Sequence, residues 1–167
     1  MTAERVARDV AAPAERDLRE RVLAYLRAHH TMTVATAGNS PHAASVFYAV
    51  DDKLRLVFLS KRASLHGSHI GEAAPVAVTV TEDYDDWELI QGVQLWGQAR
   101  LLQGRAKAGA YLVYLTRFPF VRDLAADPGR ADLMRNIGVY RVEPARVAFT
   151  DNRTGVFGRE VLKLEGE

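Results

Sequence analysis

The feature that most constrains the fold is a series of short β-type runs separated by turn residues. Residues 31–36 are rich in Thr and Val, residues 38–41 supply turn chemistry, and residues 42–50 form a second such run. These two runs predict a hairpin. A third run, residues 54–59, follows a short polar break. Three consecutive strands joined in this way predict an antiparallel meander.

Further β-type runs follow in the second half of the chain. Residues 76–80 are almost all β-branched, which predicts a strand covered on both faces. Residues 91–102 predict a long strand in which glycines permit bulges or bends. Residues 138–142 and 147–150 predict two more strands, separated by Pro144. Six or seven strands at such short spacing favour an antiparallel barrel over a sandwich.

Helical patterns surround these strands. Apolar residues recur every four positions over 14–29, which predicts an amphipathic N-terminal helix that Pro13 can begin. Residues 61–74 predict a loop that leads into a short helix. Residues 105–117 predict another helix, which Pro119 interrupts. The class is therefore mainly β (α+β) with peripheral helices, and 167 residues favour one domain, 14–167, after an N-terminal extension, 1–13.

Composition excludes several classes of function. The net charge of +1 leaves no excess of cations for binding a phosphate backbone, so we expect no nucleic-acid partner. The absence of cysteine excludes disulfides, thiolate metal sites and cysteine nucleophiles. No apolar run approaches the roughly 20 residues that cross a bilayer, and the N-terminus lacks an apolar signal centre, so we expect no membrane partner and a cytoplasmic location. Chemistry must come from other side chains or from a cofactor.

Two kinds of catalytic site find little support. Ser, His and Asp are all present, but the G-x-S-x-G elbow of many serine hydrolases is absent. The five histidines form neither H-E-x-x-H nor another specific ligand spacing, so we expect no metal site. The pair His29 and His30 is explained by the end of the first helix, where a cation is favoured. The sequence assigns no catalytic residue.

The stretch 60–68 is more informative because it combines anion-binding groups. It contains three hydroxyls, two fixed cations and one imidazole between a strand and a helix: Ser60, Lys61, Arg62, Ser64, His66 and Ser68. Such groups together can bind a phosphate. The alternative is a solvated loop in which Ser64 is an ordinary helix N-cap. The pattern alone does not separate the two.

The order of these features resembles the FMN-binding split barrel of the pyridoxamine 5'-phosphate oxidase-like superfamily. The resemblance runs from the first helix through the hairpin and the Ser64-x-His66 loop to a G-x-A strand at Gly97 to Ala99. Residues 151–158 are similar to the D-N-x-x-G-F-G ending of a poorly characterised bacterial branch, with Val156 as an extra residue. The expected fold is a split β-barrel.

The resemblance implies a homodimer with one FMN in each of two clefts at the subunit interface. The isoalloxazine ring would lie along the second strand, Ser64 and His66 would hold the phosphate, and Gln91 would approach the ring from the fifth strand. The protein would supply orientation, and the flavin would carry out the redox step. The implied cofactor-binding residues are Ala44, Ser45, Val46, Phe47, Leu59, Ser60, Lys61, Ser64, His66 and Gln91.

This chain departs from the family pattern at its cations. The oxidases carry an Arg in the second strand and an Arg-Lys pair in the phosphate loop, where this chain has Ala44 and Leu65-His66. Lys61 and Arg62 are long enough to compensate. His66 could link phosphate affinity to pH, because its reference pKa of about 6.5 lies near neutrality.

The sequence therefore predicts an FMN-dependent oxidoreductase that acts on an unidentified small molecule. The alternative is a non-enzymatic module of the same fold that binds or carries flavin or haem. For haem, His42, His66 or His69 could be the axial ligand. A deazaflavin is a further possible cofactor. Trp87, which follows an acidic run, either caps the cleft of a partner subunit or packs on the surface.

Overall fold

The predicted hairpin is the start of a closed antiparallel barrel. The computed structural model describes residues 13–155 and 158–164. The helices are α1 (Pro13–Ala28), α2 (Leu65–Ile70), α3 (Gly104–Arg117), α4 (Phe120–Ala126) and α5 (Ala131–Arg135). The strands are β1 (Thr31–Ala37), β2 (Pro41–Val50), β3 (Leu56–Lys61), β4 (Ala73–Thr81), β5 (Gln91–Leu101), β6 (Ile137–Asp151) and β7 (Arg159–Lys163).

All strand pairs in the sheet are antiparallel, in the order β3-β2-β1-β4-β5-β6-β7. A further pairing between β3 and β6 closes the first six strands into a barrel and leaves β7 as an additional strand beside β6. The predicted class, a six- to seven-stranded antiparallel barrel with an N-terminal helix and peripheral helices, is confirmed.

The end of the sheet differs from the sequence prediction. The expected break at Pro144 is wrong, because β6 runs without interruption through it. Pro144 lies opposite Gly97, where the register of β5 and β6 shifts, so its missing N–H falls at an irregular point of the ladder. The bulge predicted for Gly97 is therefore present. Strand β7 was not predicted.

Of the two apolar clusters, one fills the barrel and the other lies on its outside, where it separates a covered half from an open half. The main cluster fills the interior and includes Val22 and Leu26 from α1. The second cluster lies outside the barrel, where α3 and α4 cover part of β2, β3 and β6 with residues such as Tyr114 and Phe118. No helix in the described ranges covers the outer face of β1, β4 and β5 to the same extent. That outer surface is called the open face below.

Strand β4 shows the consequence directly. Val76, Val78 and Val80 are buried in the barrel, whereas Ala77 and Thr79 on the other side are only partly buried. The prediction of a strand covered on both faces is therefore wrong within one chain. Ala77 and Thr79 instead line a shallow cavity of about 180 Å³ on the open face.

Two sequence predictions fall partly or wholly outside the described residues. The extension 1–13 lies outside them except for Pro13, which begins α1, and so does the extra residue Val156. Among the helices of residues 13–155 and 158–164, none is long and apolar enough to cross a membrane.

Candidate functional site

The strongest cluster of polar side chains lies at the end of the barrel that α2 covers. Ser60, at the end of β3, places its Oγ 2.6 Å from His66 Nε2 and 3.3 Å from Ser64 Oγ. Ser60 therefore contacts two other residues that are predicted to bind the cofactor. Ser64 is also the N-cap of α2: its Oγ accepts from the Gly67 backbone N–H at 3.1 Å and donates to the Lys61 carbonyl at 2.7 Å.

Two more histidines join this cluster from different elements. The ring of His42, on β2, stacks parallel to His66 with centroids 5.9 Å apart, and its centroid lies 6.2 Å from that of His69. Thr36 Oγ1, on β1, lies 3.0 Å from His69 Nδ1. His66 is only 8% exposed. Burial, then the neighbouring His42 and His69, lowers the pKa of His66 below its usual value, which favours the neutral form of this imidazole.

The charged groups around this cluster are basic. Lys61 and Arg62 are exposed at the start of the loop between β3 and α2, and neither forms an ion pair with another described residue. Within the described ranges, no carboxylate forms an ion pair or hydrogen bond with His42, His66 or His69. An anionic group placed here would meet cations and hydrogen-bond donors and no fixed negative charge.

The predicted residues of β2 separate onto two faces. Ala44 and Val46 are partly buried and pack against the barrel core, so their side chains point inward. Ser45 and Phe47 point outward at the border of the open face, where Ser45 Oγ lies 3.3 Å from Thr33 Oγ1 on the neighbouring strand. A ligand lying along the outside of β2 would therefore touch the backbone of 44–47 and these two outward side chains.

Phe47 is an exposed aromatic residue held by its own neighbours. The residue is 49% exposed, and its ring contacts Phe118 and Phe120, with centroids 5.4 and 6.4 Å away. Leu59 packs under α3 as part of the covered half. The outer surface of β2 thus begins at an aromatic edge and continues to small polar residues.

Gln91 lies at the other end of the barrel. It begins β5 and pairs with Asp151, whereas Ser60 pairs with Gly138, near the start of β6. At about 3.3 Å per residue, the ten steps along β5 separate these ends by about 33 Å. One chain therefore does not bring Gln91 to the cluster of Ser60 and His66.

The groups around Gln91 hold the start of the C-terminal tail. Gln91 Nε2 donates to Asp151 Oδ2 at 2.9 Å, and the Arg153 guanidinium donates to both carboxylate oxygens at 2.9 Å. These bonds, with that from Arg153 first, hold the pKa of the Asp151 carboxyl below its usual value. Asn152 Nδ2 donates to the Trp87 carbonyl at 2.7 Å, which fixes the loop between β4 and β5. Asp151, Asn152 and Arg153 therefore hold the start of the C-terminal tail against the barrel.

Sequence reasoning did not include Thr36 in the site, and it considered His42 and His69 only as haem ligands. Alternation along β2 could have placed His42 in the site, because it lies on the same inward side of the strand as Ala44 and Val46. No sequence signal places His69 beside it, because that contact depends on how α2 packs against β1 and β2. In the described residues, no three His, Asp or Glu side chains converge in a way that could hold a metal ion.

Comparison with known proteins identifies relatives over most of the chain. The family model described as pyridoxamine 5'-phosphate oxidase matches residues 18–151. A UPF0306 protein of Klebsiella pneumoniae (strain 342) is 35% identical over 119 residues, which are 71% of this chain and 73% of the relative. The match to the family model contains the hairpin, the cluster at α2 and the β5 strand.

Solved structures share the fold at low identity. The haem-binding protein from Mycobacterium smegmatis superposes with a TM-score of 0.66 and 18% identity; the match covers 92% of this chain and 60% of that protein. The FAD-binding protein from the same species superposes with a TM-score of 0.59 and 14% identity, over 87% of this chain and 96% of that one. At such identities the likeness establishes the architecture only.

Proposed function

The chain belongs to the pyridoxamine 5'-phosphate oxidase family, and from this premise we propose that it is an FMN-binding flavoprotein and an oxidoreductase acting on a small molecule. The observation that carries the proposal is that the family match spans the cluster at α2, in which Ser60, Ser64 and His66 are in contact. That cluster lies where the family resemblance implies the cofactor phosphate.

The residues present fit a phosphate. Lys61 and Arg62 are exposed cations beside the hydroxyl of Ser60, and the described part of the chain places no carboxylate in contact with His66. Charge-assisted bonds to a phosphate are about twice as strong as neutral ones. Lys61 and Arg62 would then supply, a few residues earlier, the positive charge that the oxidases carry at the positions of Leu65 and His66.

The outside of β2 fits a planar ring. Its outward residues are small or flat, Ala43, Ser45 and Phe47, and the strand backbone between them is accessible. When bound, FMN supplies the hydride-transferring group. The chain's own residues would bind and orient it, and no described side chain at this site is assigned to move a proton. Because Gln91 lies at the far end of its own barrel, its proposed approach to the ring requires a second copy, and we propose a homodimer.

A second candidate is a non-enzymatic module that carries flavin or haem. It is favoured by the similarity to a haem-binding protein and by the imidazole of His42. Among the three clustered histidines, His66 and His69 contact hydroxyls, whereas His42 forms no hydrogen bond to a described residue. His42 is therefore the best candidate for an axial ligand.

The test is a titration of the purified protein. Tight binding of FMN, followed by bleaching of the oxidised-flavin spectrum when NADH or NADPH is added, would support the oxidoreductase. Bound flavin that neither donor reduces would support the carrier, and a Soret band with haem would support haem binding. Mass spectrometry of any copurified ligand separates FMN from a deazaflavin. No affinity for FMN would refute the main proposal.

Substitution of the two cations tests the phosphate site. Replacing Lys61 and Arg62 together by Ala should weaken FMN binding by about tenfold or more, because each cation contributes a charge-assisted contact. The matched control replaces Arg105 and Lys107, on α3, by Ala and removes the same charge. Equal affinities of the two double variants would place the phosphate elsewhere. Ser64→Ala is a poorer probe because it also removes the N-cap of α2.

A further inference from the structure

We propose that a cavity between α1, β2 and α3 binds a small monocarboxylate with an apolar body, and that Arg117 holds the carboxylate. Among the described residues, none that lines this cavity takes part in the cluster at α2. Six steps along β2 separate His42 of that cluster from Tyr48 of the cavity, a distance of about 20 Å. The inference therefore goes beyond the proposed function and concerns a separate site.

The cavity has the size of a small-molecule site. Its volume is about 600 Å³, against about 180 Å³ for the shallow cavity on the open face. Sites for small ligands typically enclose about 300–1,000 Å³. The walls come from the end of α1, from residues 48–52 at the end of β2 and in the turn that follows, and from the last turns of α3.

Much of the wall is apolar. Leu26, Tyr48 and Ala49 line the cavity and are each at most 3% exposed. Leu112 lies at the rim, where this large apolar side chain is 59% exposed. Such a wall suits the hydrocarbon part of a ligand, because the removal of apolar surface from water is favourable.

The two carboxylates that line the cavity already have partners. Asp51 Oδ1 accepts from the backbone N–H of Lys53 and of Arg55, and Asp51 Oδ2 accepts from Arg55 Nε at 2.6 Å. Asp52 forms an ion pair with Arg27. Because both negative charges are matched, the cavity has little to attract a cationic ligand.

Arg117 is a cation of the cavity that has no carboxylate partner among the described residues. Its Nη2 donates to the carbonyls of Arg27 and His29 at the end of α1, at 2.6 and 3.1 Å. These bonds fix the plane of the guanidinium. Its Nε and Nη1, which carry the other N–H donors, bond to no described residue. They remain available to a ligand.

A half-buried cation without a counter-charge favours a bound anion. Removal of a charge from water is costly unless an opposite charge accompanies it. The charge of Arg117 already acts on the cavity wall: burial raises the pKa of the Tyr48 hydroxyl, and Arg117 opposes that rise. The planar guanidinium matches a carboxylate through two parallel hydrogen bonds. A carboxylate is therefore the group that Arg117 is best placed to bind.

The balance of charge selects a monoanion. Around the cavity, Arg27 offsets Asp52 and Arg55 offsets Asp51, which leaves the single charge of Arg117. A dianion such as a phosphate ester would bring its second charge into a cavity that two carboxylates line, with no cation to match it. The ligand class is thus an aromatic or aliphatic acid with one carboxylate.

Two-dimensional nuclear magnetic resonance of the isotope-labelled protein locates the site. Benzoate should shift the backbone amides of residues 48–52 and 112–117, with a dissociation constant of about 1 mM or below. Benzamide, which has the same ring without the charge, should bind about tenfold more weakly. Phenyl phosphate should bind there no better than benzoate. Shifts confined to residues 60–69, equal affinities for benzoate and benzamide, tighter binding of phenyl phosphate in the cavity, or no shift at all would overturn the proposal.

A charge added at the rim tests the site without altering the core. Leu112→Glu should weaken benzoate binding by about five- to tenfold and leave benzamide unchanged, because the new carboxylate repels the bound anion. The matched control is Leu133→Glu, which adds the same charge at an exposed apolar residue of α5 outside the cavity and should change neither affinity. Equal effects of the two substitutions on benzoate would refute the site.

Substitution of Arg117 separates ligand binding from support of α1. Arg117→Gln should weaken benzoate binding by about tenfold or more, and Arg117→Lys, which keeps the charge, should retain more of the affinity. Circular dichroism confirms that each variant is folded. A folded Arg117→Gln protein with lower stability and unchanged benzoate affinity would show that Arg117 serves α1 alone. If Arg117→Gln does not fold, the comparison of Leu112→Glu with Leu133→Glu still decides.

Titration of the unaltered protein with FMN separates this inference from the proposed function. Benzoate binding at residues 48–52 and 112–117 of a protein without affinity for FMN would support the cavity site and refute the flavoprotein. FMN binding by a protein in which benzoate shifts none of these amides would refute the cavity site and support the cofactor.

Discussion

Replacing Gly97 by alanine tests the bulge at which β5 pairs with β6. A Cβ at this position would lie 2.1 Å from the Glu143 carbonyl oxygen and 2.8 Å from Pro144 Cα. Both atoms belong to the backbone of β6, so no side-chain rotation relieves the contact. The two strands must separate instead.

The size of the effect follows from that separation. Real Cβ contacts are essentially never under 3.0 Å, so the strands must move apart by about 1 Å. Such a shift breaks about two backbone hydrogen bonds near the bulge, at about 0.5–1.5 kcal/mol each. Overpacking adds about 1–3 kcal/mol, and the reduced entropy of the unfolded chain offsets about 0.4–1 kcal/mol. The net loss is about 3 kcal/mol.

Thermal unfolding followed by circular dichroism measures this loss. For a chain of this size, about 3 kcal/mol corresponds to a fall in Tm of about 6–12 °C. The matched control is Gly109→Ala on α3, where an added Cβ meets nothing within 4 Å and the free energy of unfolding should rise by about 0.5–1 kcal/mol. A Tm of Gly97→Ala within about 2 °C of the unaltered protein would refute the reasoning.

Three further predictions concern single side chains. Asp151→Asn should lower the free energy of unfolding by about 2 kcal/mol at pH 7, measured with urea. Because Arg153 depresses the pKa of Asp151, the stability that the ionised carboxylate contributes is present above about pH 4 and is lost as the pH falls. The difference in free energy of unfolding between Asp151→Asn and the unaltered protein should therefore shrink towards pH 3. A difference that stays constant would contradict this. Tyr48→Phe removes a buried donor that lies 2.7 Å from the Leu26 carbonyl, and should cost about 1–2 kcal/mol; an unchanged urea midpoint would count against the bond. FMN should bind more tightly as the pH falls from about 8 to 6.5, because burial lowers the pKa of His66 in the free protein and a bound phosphate favours its protonated form. Fluorescence titration should show no such slope for His66→Gln. A flat profile of the unaltered protein would exclude the linkage.

The barrel could be predicted because local patterns determine most of it. Alternation and turn residues located β1 to β5, and the four-residue repeat located α1. The interruption at Pro144 was predicted wrongly because a proline is disfavoured in a strand only where its N–H is needed, and the bulge at Gly97 removes that need. Strand β7 escaped notice since its five residues carry three charges and bury only Leu162.

The site could be predicted only in part, because chain order does not give distance across a barrel. Ser60, Ser64 and His66 are close in sequence, and their contact follows from one strand and one helical turn. His69 joins His66 through the packing of α2, which no local pattern encodes. Gln91 lies at the far end because β3 and β5 run in the same direction, both antiparallel to β6, so the start of β5 is far from the end of β3.

The pairing of β3 with β6 also has a consequence for folding kinetics. The hairpin of β1 and β2 joins near neighbours, whereas closure of the barrel brings together segments about 80 residues apart. Contacts of such long range form slowly, because the entropy of a large loop is lost before they stabilise the chain. Until β6 is in place, β3 has an unpaired edge. We therefore expect closure to limit the folding rate, and an emerging chain on the ribosome to remain an open sheet until β6 is made.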